Sequence, residues 1–455
     1  MNKIRIIIGV IISTFIFSCN TASKNADLVS NVKHAEWTKN AVIYEVNVRQ
    51  FTKEGTFNAF ASHIPRLKEL GVDILWFMPI YPIGELDRKG TLGSYYSVKD
   101  YTSVNPEFGT VEEFKNVVQK AHDLGMKVII DWVANHTSRD ATWIKSNPDW
   151  YVIDSVTKTP VAPFNWTDVA KLDYNNSDIR KAMVDAMKFW LKETKINGFR
   201  CDVAFEVPTD FWDSTVVELR KVTPDLFMLA EAEVPELQVN AFDMYYSWKL
   251  HHVMNQIAQG KQNADSLRAY LVKNNSLFPK NTITMNFTSN HDENSWNGTE
   301  FERMGQFVPQ MAALTFILPG MPLIYSGQEV SFNKRLEFFE KDSIVWNGNL
   351  SFTELYKSLA ELRKGNPALN TPLVAKMEFL KSDNEKSIFT VQYKLDNNTV
   401  IAVFNFSDKP VSTNIKKIDK GEYSQFMSES KTKLKINQVF DLEPAGYKIF
   451  YKNEK

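Results

Sequence analysis

Gly198-Phe199-Arg200-Cys201-Asp202-Val203-Ala204, near the middle of a 455-residue chain, reads as a short strand that runs into a loop. Side chains alternate along a strand, so Arg200 and Asp202 share one face and Cys201 takes the other. A guanidinium beside a carboxyl favours the ionised acid, which suits Asp202 to act as a nucleophile or to stabilise charge. A purely structural Arg-Asp pair is the alternative at this point.

Outward from this stretch the chain alternates apolar runs with segments of helical spacing. Upstream, the runs Ala41 to Val46, Val72 to Phe77 and Met126 to Asp131 read as strands one to three. Helical patterns fall between them, through Phe60, Ile64, Leu67 and Leu70, and from Thr110 through Phe114, Val117 and Ala121. Gly198 opens strand four. Downstream, Leu226 to Leu229, Ala241 to Tyr246, Thr282 to Phe287 and Met321 to Tyr325 give strands five to eight, with helical segments expected at 177–190, 209–222, around Leu267 and Leu271, and at 301–316. Eight strand-then-helix units predict an α/β chain closed into a (β/α)8 TIM barrel over residues 39–369, an open doubly wound sheet being the alternative.

Asp131 to Gly198 is longer than one such unit needs, so a short lobe is expected after strand three, at about residues 136–175. After a helix near Phe352 to Leu362 the pattern changes to β-rich runs such as Ile388 to Tyr393 and Val400 to Phe406. Residues 370–455 are therefore expected to form a C-terminal antiparallel β-sandwich.

A formal net charge of −1 leaves no basic field for a polyanion, and no nucleic-acid partner is expected. Only Cys19 and Cys201 occur, so no disulfide framework can be read. Lys3 and Arg5 precede an apolar run from Ile6 to Phe17, too short to span a bilayer comfortably, and residues 1–18 read as a secretory signal peptide. Ile16-Phe17-Ser18-Cys19 resembles a bacterial lipobox, which implies cleavage before Cys19 and a lipid anchor there. A conventional signal peptide or an uncleaved anchor are the alternatives. Residues 19–38 are then a polar tether, and the protein is expected to be exported and membrane-anchored, periplasmic or on the cell surface.

In a barrel of this kind the active site lies at the carboxyl ends of the strands. Strand three ends in Asp131-Trp132-Val133-Ala134-Asn135-His136, strand four in Arg200 and Asp202, strand five in Glu231, and strand seven in Asn290-His291-Asp292. Carboxylates dominate. Glycoside hydrolysis with retention needs two carboxyl groups about 5 to 5.5 Å apart, and adjacent strands lie about 4.8 Å apart, so Asp202 and Glu231 can meet that need. Arg200 would keep Asp202 charged, while Glu231, in a more apolar setting, would hold its proton as acid and then base. Asp292 could stabilise positive charge developing on the sugar, and His136 and His291 could hydrogen-bond its hydroxyls. His136, Asp202 and Glu231 could instead ligate a metal, but no HxxxH, HxH or HExxH spacing occurs, and no catalytic metal is expected.

Asp131-Trp-Val-Ala-Asn-His136, Gly198-Phe-Arg-Cys-Asp202, Leu229-Ala-Glu231, Phe287-Thr-Ser-Asn-His-Asp292 and Gly320-Met-Pro-Leu-Ile-Tyr-Ser-Gly-Gln-Glu329 together resemble, in order and spacing, the signature segments of the α-amylase family of glycoside hydrolases. The resemblance implies retaining cleavage of α-glucosidic bonds in starch-derived glucans or malto-oligosaccharides. It makes Asp202 the nucleophile, Glu231 the acid/base and Asp292 the transition-state stabiliser. Arg200, His136 and His291 match sugar-contacting positions, Tyr96 the aromatic ring under the sugar at the cleavage point, and Asp131 a supporting position. Two departures stand out: Ser94-Tyr95-Tyr96 replaces the common His-Gly-Tyr, and Phe205-Glu206 replaces the common Lys-His. The second removes an expected leaving-side contact and an expected calcium ligand. Asn135 and Asp173 match other calcium positions, so a structural calcium stays open, although the chemistry requires no cofactor. A glucanotransferase using the same residues and a non-catalytic glycan-binding protein are the functional alternatives.

Overall fold

The computed structural model describes residues 29–453. The expected signal peptide at 1–18 and lipid attachment at Cys19 lie outside the described residues. Among those described, no helix is long and apolar enough to cross a membrane.

Eight parallel strands close the barrel: β1 (Ile43–Val46), β2 (Ile74–Phe77), β3 (Lys127–Trp132), β4 (Gly198–Cys201), β5 (Phe227–Ala230), β6 (Met244–Tyr246), β7 (Ile283–Asn286) and β8 (Met321–Tyr325). Closure is direct, because β1 pairs with both β2 and β8, and this excludes the open sheet. Ile43, Ile74, Trp76, Ile129, Leu229, Met244, Tyr246, Met285 and Leu323 fill the interior, as alternation along short strands requires. Phe199 and Cys201 point outward into the apolar layer under the helices. Cys201 is thus the buried small hydrophobe that its strand position predicts.

Helices α1 (Ile64–Glu69), α2 (Val111–Asp123), α3 (Ser177–Glu193), α4 (Thr209–Arg220), α5 (Trp248–Ala258), α6 (Ala264–Leu277), α7 (Val308–Ile317) and α8 (Leu350–Gly365) surround the barrel. Thr110 starts α2 with a reciprocal capping box, its hydroxyl accepting from the Glu113 N–H while Glu113 accepts from the Thr110 N–H. The helical pattern expected over 301–316 is broken: Glu300–Met304 and α7 flank a tight turn at Gly305, whose φ of +53° suits glycine. Between β5 and β6 the chain makes only a 3-10 turn, Pro235–Gln238.

The lobe after β3 is built on an antiparallel pair, His136–Ser138 with Val169–Lys171, in which His136 faces Lys171. Beyond α8 lie β9 (Lys376–Phe379), β10 (Ile388–Leu395), β11 (Asn398–Asn405), β12 (Val411–Ile415), β13 (Gly421–Gln425), β14 (Lys431–Leu434), β15 (Gln438–Leu442) and β16 (Tyr447–Lys452). They form a six-stranded sheet, order β9-β10-β11-β16-β13-β14, and a pair β12-β15. Ile401, Val403 and Phe450 of the first meet Ile415, Phe440 and Leu442 of the second in one core, which makes this a sandwich.

One expectation is corrected. Residues 29–38, read as part of an unstructured tether, are docked across the amino ends of β5 to β7. Asn31 donates its N–H to the Val239 carbonyl at 2.7 Å, and the Ser30 hydroxyl donates to Gln238 O at 2.7 Å. The His34 ring lies 2.8 Å from Asp243 Oδ1 and 2.6 Å from Asn281 O. Trp37 packs on Phe227 at 5.5 Å and covers the floor of the barrel. The segment is ordered because its polar groups are paired and its indole is buried, which composition alone does not reveal.

Gly198 is fixed by contact. A Cβ there would lie 1.8 Å from the Phe227 carbonyl oxygen, within the β4–β5 pairing. Gly198→Ala should therefore force the two strands apart and lower stability by about 1–3 kcal/mol, read as a reduced urea midpoint, with activity falling because Arg200 and Asp202 ride on β4.

Candidate active site

Arg200 stands at the centre, fully buried at the carboxyl end of β4. Its Nη1 lies 2.9 Å from Asp131 Oδ1 and 3.0 Å from Asp202 Oδ1, and its Nη2 lies 3.0 Å from Glu231 Oε2. One guanidinium therefore holds carboxyls from three adjacent strands. Backbone bonds carry the strand ladder upward to reach this arrangement: Asp202 N–H donates to Trp132 O and Glu231 N–H to Cys201 O, each at 2.9 Å. Trp76 and Tyr246 lie close to the guanidinium, at 5.2 and 5.4 Å from ring centre to Cζ, and Nε donates to the Tyr246 hydroxyl at 3.2 Å.

Strand spacing alone predicts that Arg200 holds Asp202 ionised and leaves Glu231 in a more apolar setting. The structure differs, because the same cation touches both. Glu231 Oε2 also accepts the Val203 N–H at 2.8 Å. Burial, reinforced by the charge of Glu231, raises the Asp202 carboxyl well above the ordinary range against the opposing pull of Arg200. Burial likewise pushes Asp131 up to about 6, opposed by Arg200 and His291. Three carboxyls crowd one cation, and burial favours the neutral forms of Asp202 and Asp131 against the pull of Arg200.

A second chain of contacts reaches this cluster from β1 and β7. His291 places Nδ1 against Glu45 Oε1 and Nε2 at 2.7 Å from the Tyr96 hydroxyl and 3.2 Å from Asp292 Oδ2. The Tyr96 hydroxyl donates to Asp131 Oδ2 at 3.0 Å. Burial alone would lower the His291 pKa, but Asp292 and Glu45 outweigh it and the imidazolium is held up to about 9. The Tyr96 ring lies 5.4 Å from the His291 ring at 21°, and its hydroxyl is held between His291 and Asp131.

His136 sits at the foot of the lobe, its ring 5.4 Å from that of Trp166, and burial drives its pKa down to about 3, so it is neutral and can bond to hydroxyls. All seven residues singled out from the sequence, Tyr96, His136, Arg200, Asp202, Glu231, His291 and Asp292, thus come to the carboxyl-terminal face of the barrel. Glu45 was missed, although a lone carboxylate in the apolar run Ile43-Tyr44-Glu45-Val46 was its visible signal. Tyr95 turns away from the site, packed against Arg49 at 4.3 Å and Phe338 at 5.3 Å.

The residues matched to calcium positions are engaged elsewhere. Asp173 Oδ1 accepts both the backbone and side-chain N–H of Asn175, and the Asn135 amide lies 3.2 Å from His136 Nδ1. Lys171 brings an ammonium to the lobe–barrel junction, 2.9 Å from Glu206. This set does not fit a cage of six to eight oxygens. Among the described residues no group of three or more His, Cys, Asp or Glu is placed to hold a metal.

The family described as the α-amylase catalytic domain matches residues 20–170 and 165–374. The chain belongs to the α-amylase family of glycoside hydrolases. Among solved structures this family member is similar to an α-amylase from Lactobacillus plantarum, 28% identical with a TM-score of 0.83 over 91% of this chain and 99% of that one. A maltogenic α-amylase from Thermotoga neapolitana is 26% identical with a TM-score of 0.84, over 92% and 100%. The α-amylase MalA of Haloarcula japonica is 26% identical over 83% of this chain, which spans 57% of that relative's length.

The ion pairs of His291 set a pH dependence. Because its pKa is raised from 6.5 to about 9, their contribution to stability is complete below the lower value and is lost as pH rises through the higher one. NMR titration of the imidazole should give a pKa well above 6.5, and Glu45→Gln should lower it and weaken the alkaline loss of thermal stability.

Proposed function

We propose that this α-amylase family member is a retaining hydrolase of α-glucosidic bonds in starch-derived glucans or malto-oligosaccharides. The observation that supports it best is the shared guanidinium contact of Asp202 and Glu231, which sets two carboxyls from neighbouring strands beside one another. The related α-amylases support the substrate class.

The Asp202 carboxylate attacks the anomeric carbon as the bond to the leaving oxygen breaks, and Glu231 gives its proton to that oxygen. A glucosyl ester on Asp202 results. Glu231, now a carboxylate, takes a proton from water as the water oxygen attacks the same carbon and releases Asp202. Glu231 Oε2 is tied to Val203 and Arg200, which leaves Oε1 to carry the exchanged proton. Forming the ester removes the negative charge of Asp202 from beside Glu231. The second step then finds Glu231 ready to act as base. Asp292, about one-third exposed beside His291, opposes the positive charge that builds on the sugar ring. Tyr96 offers its face to that ring, and His136 and His291 meet its hydroxyls.

We further propose export and lipid anchoring at Cys19, supported by the basic start, the apolar run and Ile16-Phe17-Ser18-Cys19. Incorporation of labelled palmitate into the wild type and its loss in Cys19→Ala would bear this out; equal labelling would refute it.

Glu231→Gln should reduce kcat on maltoheptaose by about 10²–10⁴-fold, and Asp202→Asn by at least as much, while both variants still bind the sugar. NMR of the first product should show the α-anomer. A β-anomer first would overturn the nucleophile assignment, undiminished turnover in Asp202→Asn would overturn the mechanism, and sugar-capped products growing with added maltose would mark a transferase.

A further inference from the structure

The long loops around the site are fastened to one another on one side. The loop after β2, residues 78–110, meets the lobe through Lys89 and Asp168 at 2.8 Å and through Arg139 and Asp87 at 3.3 Å. The same loop meets the loop after β8, residues 326–349: Leu92 N–H donates to Phe339 O at 3.0 Å, and Thr91 donates its N–H to Glu340 Oε1 at 3.0 Å and its hydroxyl to Oε2. Gly90 permits this approach, since a Cβ there would lie 2.5 Å from the Phe339 side chain. Behind the junction Arg49 donates to the carbonyls of Gly93 and Leu92 at 3.0 and 3.2 Å. The β8 loop is then tied to the β7 loop, with Leu336 N–H donating to Asn294 Oδ1 at 2.8 Å, Asn294 Nδ2 to Lys334 O at 3.1 Å and the Ser295 hydroxyl to Leu336 O at 3.1 Å.

These junctions make a continuous wall from the lobe round to β7. Phe338 lines it on the inside, buried, with its ring 6.3 Å from Tyr96 at 12° and 5.3 Å from Trp296. The wall encloses the side of the site that holds Tyr96, His291 and Asp292. Glu231 lies away from it, on β5, where the preceding β4 loop spans only residues 202–208 and leaves Phe205 half-exposed. In the mechanism above the acid stands on the leaving-group side and Tyr96 under the sugar that becomes the glycosyl ester.

We propose that the non-reducing side of the site is a closed pocket, so that the enzyme cleaves from non-reducing chain ends and releases a mono- or disaccharide instead of cutting internal bonds. A longer chain cannot continue through a wall stitched at three junctions, whereas it can leave over the short β4 and β5 loops. This inference rests on the hydrolase reading above.

The test compares p-nitrophenyl maltoheptaoside with the same compound carrying a 4,6-ethylidene block on its non-reducing glucose, products being followed by mass spectrometry. The free substrate should lose a mono- or disaccharide first, and the blocked one should react slower by about tenfold or more. Equal rates with mid-chain products would overturn the pocket and keep the hydrolase; no cleavage of either would overturn both. The double variant Thr91→Ala, Glu340→Ala loosens the wall at an exposed junction that touches none of the carboxyls in the cluster. It should keep activity on the free substrate and narrow the difference between the two, and an unchanged difference, with folding verified by circular dichroism, would overturn the wall as its cause.

Discussion

A single buried guanidinium holds the carboxyl cluster of the candidate active site together. Removing Arg200 from water costs several kcal/mol, and the cost is offset by contacts with Asp131, Asp202 and Glu231 that also fix where those carboxyls stand. Deleting it would leave three buried acids facing one another without a cation. Its place on β4, between β3 and β5, lets it reach all three from one strand. The absence of a side chain at Gly198, two residues earlier, is part of the same solution, because it lets β4 and β5 approach closely just below.

The second cation, His291, works differently. It is titratable, and its charge is sustained by Glu45 beneath and Asp292 beside it. Through the Tyr96 hydroxyl it is connected to Asp131 and so to Arg200. The Tyr96 ring and the carboxyl cluster are thereby set relative to each other by hydrogen bonds as well as by the barrel. Hydrogen-bond partners that lock side chains in this way reduce the reorganisation the reaction would otherwise require.

Much of this was legible in the sequence because strand ends carry it. Apolar runs of four to six residues located all eight strands, and the polar residues that follow them had nowhere to go except the face where the strands end. What stayed hidden has a physical reason in each case. Arg200 touching both Asp202 and Glu231 depends on a guanidinium's reach across strands, which spacing along one strand cannot show. Glu45 was read as part of a core strand because its neighbours are apolar, and its role appears only when His291, distant in sequence, is brought above it. The docking of residues 29–38 and the stitching of the β2 and β8 loops come from hydrogen bonds between aperiodic segments, and no periodicity announces them. The break at Gly305 shows the converse, an apolar pattern continuing across a turn that the backbone demands.

Glu45, Asp131, Asp202, Glu231 and Asp292 come from β1, β3, β4, β5 and β7 or from the loops that follow them, so the constellation spans most of the ring. No half of the chain contains enough of it to work. Under the proposed mechanism turnover therefore reports a complete ring, with β1 paired to β8.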